Sequence, residues 1–316
     1  MSISAEITFI ICTYNRADYL DDSLASMLAG NTPVKPIEIL VVNNNSTDET
    51  GEVINRYINH GKPNITVRSV IESKQGLSHA RNRGIREAEA PVIIFVDDDI
   101  RADTNYINAW LQFFYDYPDV RAAGGKIHVQ FDDPRPEWMS QFLLPLLGHH
   151  DYGNSIKPYR KTNYPFGGNM AFKKEIFDRF GLFDTGLGRI GKDLKASEEK
   201  EFFQRLKKDE IEIYYLPEAT LYHRVGTSRL TREYIRRQAV GLGQSLALQF
   251  RYQTAGKKFN TVAAEAGKWC VSLALFLLYT LAFNFPKALM LIKFRKWIAE
   301  GFQSARNRDA KTDFHD

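Results

Sequence analysis

Five apolar residues run without a break into three carboxylates at Val92-Ile93-Ile94-Phe95-Val96-Asp97-Asp98-Asp99. An apolar, largely β-branched run of this length predicts a strand buried on both faces, as found inside a parallel sheet. The three aspartates then sit at that strand's carboxyl end, where open α/β sheets place their ligands. Adjacent carboxylates repel one another and call for a cation. Hard oxygen ligands suit Mg²⁺ or Mn²⁺, ions that often also hold phosphates. Taken alone, the triplet reads more readily as a solvated acidic turn.

The surrounding chain supplies a sheet to match. Ile7-Thr8-Phe9-Ile10-Ile11-Cys12 predicts a first buried strand, followed by Thr13-Tyr14-Asn15-Arg16 and a helix over 18–28 with Asp18 as its cap. Ile37 to Val42 predicts a second strand, ending in Asn43-Asn44-Asn45-Ser46-Thr47-Asp48 and a helix over 49–59. Those amides serve as turn residues or read a base through paired donors and acceptors. Val67 to Ile71 is a weaker strand, and a helix from Leu77 carries Lys74 near its start and Arg81 a turn beyond Ser78. Both cations read as diphosphate ligands or as ordinary surface charge. Strands and helices alternate to about residue 115, which predicts a doubly wound parallel sheet. No Gly-x-Gly-x-x-Gly follows the first strand and no Walker loop is present, so a dinucleotide site and a P-loop are disfavoured.

Composition narrows the class. With 316 residues the chain is long enough for a full α/β core. A net charge of +4 makes no general case for nucleic acid. Cys12 and Cys270 both lie in apolar sequence and read as reduced core residues rather than a disulfide or metal pair. Met1 to Glu6 lacks the basic start and cleavage pattern of a signal peptide.

Four separated stretches carry a resemblance. Thr13-Tyr14-Asn15-Arg16, Val41-Val42-Asn43-Asn44-Asn45-Ser46-Thr47-Asp48, Gly76-Leu77-Ser78-x-Ala80-Arg81-Asn82-x-Gly84-Ile85 and Val96-Asp97-Asp98-Asp99 stand in the order and spacing of family 2 glycosyltransferases of GT-A fold. The resemblance covers roughly residues 5–245. It implies a Rossmann-like, mostly parallel sheet flanked by helices, and an inverting enzyme that moves a sugar from a nucleotide diphosphate. Its nucleotide-binding half would be 1–115 and its acceptor half 116–245.

What the resemblance implies for individual residues follows. Asp97 and Asp99 would be the ends of an Asp-x-Asp motif, with Asp99 on a Mn²⁺ or Mg²⁺ ion and Asp97 or Asp98 toward the ribose or donor sugar. Asp97 and a late histidine, His223, would complete the metal ligands. Thr13, Tyr14, Asn15, Arg16, Asn44, Lys74 and Arg81 would contact the nucleotide sugar, and Gly168 in Tyr164-Pro165-Phe166-Gly167-Gly168-Asn169 would line the donor sugar. Glu199 would be the catalytic base that deprotonates the acceptor, with Glu198 orienting the loop or the acceptor. Many relatives end this pair with Asp, so Glu199 is one methylene longer. Many also carry Asp where Asn43 or Asn44 stands, which loosens the choice of nucleotide; UDP is the default, with TDP and GDP open. From the residues themselves, Glu199 to Lys207 predicts a helix with Phe202, Phe203 and Leu206 buried and Ser197 as its cap. Glu198 and Glu199 would otherwise only complement the helix dipole. Arg224, Arg232, Arg236 and Arg237 read as holders of a diphosphate or an anionic lipid head group.

Beyond about Leu246 the pattern changes to a helical, apolar and basic extension over 246–316. Trp269 to Phe285 carries no charge and reaches about 25 Å as a helix, short of a bilayer core of about 30 Å. Lysines and arginines flank it on both sides, which argues against a single crossing. Helices in the interface or a re-entrant hairpin would keep both flanks cytoplasmic, giving membrane contact through 257–300 at the inner face. A buried helical pair or a homodimer contact is the alternative. The leading expectation is a metal-dependent glycosyltransferase with a glycan or lipid-linked acceptor. A nucleotidyltransferase and a non-catalytic membrane-anchored nucleotide-sugar or glycan-binding module are the competing classes.

Overall fold

The computed structural model describes residues 4–58, 62–160, 162–187 and 198–312, with side chains as far as 307. Among the described residues nine strands form a single sheet: β1 (Ile7–Thr13), β2 (Ile37–Asn43), β3 (Ile65–Ile71), β4 (Val92–Asp97), β5 (Ile100–Ala102), β6 (Ala122–Phe131), β7 (Lys157–Pro158), β8 (Asn169–Lys173) and β9 (Ile213–Val225). Their order is β3-β2-β1-β4-β8-β6-β9-β5, with β7 on β9. The first four run parallel, as the alternation of strands and helices predicts. From β8 on, the strand pairs turn antiparallel. The parallel half is joined by α1 (Ala17–Ala29), α2 (Thr50–Ile58) and α3 (Leu77–Glu87); α4 (Tyr106–Asp116), α5 (Glu175–Phe180) and α6 (Glu198–Lys208) follow.

Side-chain alternation along the strands builds a core on each face of the sheet. Ile7, Phe9 and Ile11 of β1, with Ile94 and Val96 of β4, pack with Leu20 and Leu24 of α1 and Trp110 of α4. Ile10, Ile93 and Phe95 face the other way, toward Ile85 of α3, Phe177 of α5 and Phe202, Phe203 and Leu206 of α6. All three α6 residues are fully buried. Each such side chain contributes roughly 1.5–3 kcal/mol of hydrophobic stabilisation. That burial fixes how α6, and the two glutamates at its start, lie against the sheet.

The helix caps differ in detail from the sequence reading. Asp18 lies inside the first turn of α1 rather than at its cap. The Asp48 carboxylate does the capping instead, accepting from the Ala17 N–H at 3.1 Å and from the Thr50 N–H at 3.1 Å. Ser197 lies outside the described residues. β9 is a long strand that runs through Pro217 and carries His223 near its end.

Two compact units divide the chain, one of residues 1–130 and 148–224, the other of 131–147 and 225–316. The second unit holds α7 (Arg232–Arg251), α8 (Ala255–Leu281) and α9 (Phe285–Thr312). α7 packs backbone to backbone on α9: a methyl on Gly243 would lie 2.0 Å from the Ile298 carbonyl oxygen, and one on Gly301 2.2 Å from that of Val240. Phe250 and Phe302 stack edge to face at 5.6 Å. α8 and α9 form an antiparallel hairpin turned at Phe283 (φ 55°), with Arg295 Nε donating to Ser272 Oγ at 3.0 Å. α8 is long and apolar enough to cross a membrane, and only 6% of its apolar window is buried. Cys270 is exposed on that helix, contrary to a core position.

Candidate active site

Register brings the catalytic candidates to one edge. Thr13 pairs level with Asn43, and Cys12 with Asp97, so β1, β2 and β4 all end together. β8 returns antiparallel with Asn169 opposite Val96, which sets Gly168 beside Asp97. β9 sets His223 opposite Ile100, and the Arg224 N–H donates to the Asp99 carbonyl at 2.7 Å.

The acidic triplet already has a cation. Arg16 donates from Nη1 to Asp98 Oδ1 and from Nη2 to Asp99 Oδ2, both at 2.7 Å. Thr13 Oγ1 donates to Asp98 Oδ2 at 2.8 Å, and His223 Nε2 lies 3.1 Å from Asp99 Oδ2. Asp98 and Asp99 are nearly inaccessible. Burial, reinforced by Asp99 and Asp97, lifts the Asp98 carboxyl well above the ordinary range, although Arg16 and Thr13 pull the other way. Tyr14 stays exposed at the turn, and Asn15 holds it to the second strand's loop by accepting from the Thr47 N–H at 2.7 Å. Arg16 thus spans the aspartates, and its guanidinium lies 4.7 Å from the Tyr19 ring centre.

Asn44 does not offer its amide to a base. It is buried, its Nδ2 donates to the carbonyls of Glu72 and Lys74 at 2.9 and 2.7 Å, and its Oδ1 accepts from the Gly76 N–H at 2.8 Å. It closes the β3–α3 loop onto β2. Gly76 turns that loop with φ 138°, a conformation open to glycine. Lys74 is exposed beside it.

Arg81 is not a surface cation. It is 2% exposed, and its Nη1 lies 2.8 Å from Glu198 Oε1 and 3.1 Å from Glu199 Oε1. Desolvation opposes its charge, but the two glutamates and Asp97 outweigh it and hold the guanidinium firmly protonated. Glu198 is fully buried while Glu199 keeps part of its side chain at the surface. Arg81 therefore links α3 to the first turn of α6 and aims the Glu199 carboxylate.

The two glycines between these groups are spacers. A methyl on Gly167 would fall 1.9 Å from Glu199 Oε1, and one on Gly168 2.4 Å from Asp97 Oδ2. Glu199 and Asp97 consequently flank two consecutive residues, within about 10 Å of one another given a Cα spacing of about 3.8 Å. Several contributors were invisible in the sequence. Asn169 is a buried hub, accepting from Tyr106 Oη at 2.8 Å and donating to the carbonyls of Lys126 and Ala219 at 3.0 and 2.9 Å. His150, hydrogen bonded to Tyr159 Oη at 2.7 Å, stacks near Phe166 with ring centres 4.7 Å apart, behind the glycine loop. Arg224, read as an anion ligand, pairs with Asp22 at 2.9 Å.

A mixed sheet with acidic residues at the β4 end and a carboxylate-bearing helix across a glycine loop is the GT-A arrangement. The sequence matches the family Glycosyl transferase family 2 over residues 8–181, more than half the chain, and the protein belongs to that family of glycosyltransferases. Among curated relatives, glucosyl-dolichyl phosphate glucuronosyltransferase of Haloferax volcanii is 24% identical over 70% of this chain and 69% of its own length. Poly-beta-1,6-N-acetyl-D-glucosamine synthase of Staphylococcus epidermidis is 26% identical over 67% of this chain, which spans only 48% of that protein. Among solved structures, mannosyltransferase PcManGT from Pyrobaculum calidifontis, in complex with GDP-Man and Mn²⁺, superimposes with a TM-score of 0.58 at 19% identity, over 96% of this chain and 88% of the other. S. aureus TarS 1–349 with UDP-GlcNAc gives 0.52 at 17% identity, over 92% of each chain. These likenesses define the fold.

Proposed function

We propose that the protein is an inverting, metal-dependent glycosyltransferase that moves a sugar from a nucleoside diphosphate donor, a UDP-sugar first, to a glycan or lipid-linked saccharide. The observation that carries this reading is the pairing of Glu199 and Asp97 across Gly167 and Gly168. Membership in a glycosyltransferase family favours glycosyl over nucleotidyl transfer, and a paired carboxylate next to the acidic triplet favours a catalyst over a binding module.

The donor set suits the implied ion. Asp99 Oδ2 and His223 Nε2 already lie 3.1 Å apart, a separation that two ligands of one ion take. Asp99, His223 and Asp97 would hold Mn²⁺ or Mg²⁺, which supplies positive charge beside the departing diphosphate. The chain's own residues do the rest. Thr13, Tyr14, Asn15 and Arg16 form the rim of the nucleotide end, Lys74 adds an exposed cation, and Arg16 trades its hold on Asp98 and Asp99 for the donor phosphates. Gly168 lets the sugar approach Asp97 without a side chain between them. Glu199 takes the proton from an acceptor hydroxyl as its oxygen attacks the anomeric carbon and the bond to the diphosphate breaks. One displacement with one base inverts the centre. Arg81, anchored by Glu198, keeps the base in position.

The α8–α9 hairpin supports membrane contact at the cytoplasmic face. Its chain doubles back at Phe283, as a re-entrant element requires. A lipid-linked acceptor would be delivered there, a reading supported by the dolichyl phosphate named for the haloarchaeal relative. Incubating the protein with Mn²⁺ and a panel of UDP-, TDP- and GDP-sugars tests the assignment: one donor should raise the melting temperature and release its nucleoside diphosphate. Absence of stabilisation and release across the panel would contradict it.

A further inference from the structure

We propose that His128, His149 and Asp151 form a second metal site, for Zn²⁺ or an ion of like preference, separate from the acidic triplet. One ligand atom from each lies within 4.8 Å of the others. The backbone explains why they converge. Ile127 and His150 exchange both N–H···O bonds, at 2.9 and 2.8 Å, so they are a hydrogen-bonded antiparallel pair. The next residues inward, His128 and His149, are then the close, non-hydrogen-bonded pair, whose side chains share a face. Their ring centres lie 5.5 Å apart. Asp151 lies two residues beyond His149 and returns to that face.

The chemistry is that of a transition-metal site. Two imidazoles and one carboxylate form a nitrogen-rich set that suits Zn²⁺ better than Mg²⁺ or Ca²⁺, and three protein ligands leave a fourth position open. His149 Nδ1 is buried without a hydrogen-bond partner among the described residues. A polar nitrogen left so is costly unless something binds it. Tetrahedral zinc ligands stand about 3.3 Å apart, so the three atoms need to close by about 1.5 Å at most. Asp151 is exposed and can supply that movement. Its Oδ1 accepts from the Gly153 N–H at 2.8 Å and from Tyr215 Oη at 3.3 Å and lies 3.9 Å from Lys126 Nζ, so Oδ2 is the oxygen that would meet an ion.

The site is distinct from the one at Asp99. Tyr222 and His223 are consecutive in β9 and face opposite sides of the sheet. His128 packs on Tyr222, with ring centres 5.9 Å apart, whereas His223 meets Asp99. An ion held by His128, His149 and Asp151 would pin the loop after residue 148 to β6.

Co²⁺ serves as the spectroscopic probe, with Zn²⁺ as competitor, on the metal-stripped full-length protein without nucleotide. Wild type and Asp99→Asn should show the same visible d–d bands, which Zn²⁺ abolishes. His149→Ala and Asp151→Asn should weaken binding by at least about tenfold. Asp151 is exposed, so its amide variant reads the ligand without threatening the fold. Unchanged Co²⁺ binding in both variants, loss of the bands in Asp99→Asn alone, or no binding below millimolar Co²⁺ would each overturn the proposal.

Discussion

Replacing Gly167 by alanine isolates the base without touching it. The added methyl would lie 1.9 Å from Glu199 Oε1 and 2.5 Å from Arg81 Nη2, where a carbon–oxygen contact needs about 3.3 Å. The carboxylate must retreat by about 1.4 Å, because Arg81 is buried and held by Glu198. Gly167 does not occupy the left-handed region, so space alone is at issue. A displacement of that size costs roughly 10²-fold in rate, about 2.7 kcal/mol of transition-state stabilisation. Overpacking costs about 1–3 kcal/mol of stability, which a domain of this size tolerates. Steady-state kinetics with calorimetric donor binding should show kcat down about 10²-fold with donor Kd within about threefold. Gly168→Ala should do the reverse, raising donor Kd, since its methyl lies 2.4 Å from Asp97 Oδ2. A folded Gly167→Ala protein turning over at the wild-type rate would refute the placement of Glu199 in the chemistry.

Other perturbations test separate parts of the account. Phe202→Ala should cost about 3–5 kcal/mol in urea unfolding, since the ring is fully buried and meets Phe172, Phe177 and Phe183 at 4.9–5.4 Å; a loss under 1 kcal/mol would be inconsistent with α6 being anchored there. Asp99→Ala should abolish Mn²⁺-dependent donor binding by calorimetry. Burial, aided by His149, holds His150 neutral with its pKa pushed down to about 4, from 6.5. The unfolded chain takes up that proton first as pH falls below 6.5, so stability is full above 6.5 and is lost toward pH 4, by about 3 kcal/mol from this group. Urea titrations at pH 7.5 and 4.5 should show a weaker dependence in His150→Leu than in wild type. Leu277→Glu with Leu281→Glu, both on the exposed face of α8, should abolish co-sedimentation with vesicles while donor binding persists; undiminished sedimentation would remove the hairpin from membrane contact. Point charges are preferable to truncation because α9 packs on α7.

The parallel half of the sheet was legible because β1, β2 and β4 are largely apolar runs ending in polar residues, whereas β3, with Arg68 and Ser69 inside it, gave a weaker signal. β6 was not legible, since Ala122-Ala123-Gly124-Gly125 is too small to declare a strand before its partners are known. The α6 face was readable from the spacing of Phe202, Phe203 and Leu206. Residue types at the site were readable too, but not their partners. Arg81 looks like any helical arginine until Glu198 and Glu199, more than a hundred positions later, arrive beside it. Asn44 sits in a run of three asparagines, and only the fold shows which of them is buried as a loop clamp. Arg16 as the cation of the acidic triplet is likewise a tertiary fact, written in no local pattern.

The most direct measurement is single-turnover sugar transfer by Glu199→Gln, with donor affinity determined in parallel. The change keeps the side chain's length and hydrogen-bonding shape while removing its capacity to accept a proton. If this carboxylate activates the acceptor, transfer falls by about 10²–10⁴-fold while donor Kd stays within about threefold. Transfer within a factor of a few of wild type would contradict the account at its centre.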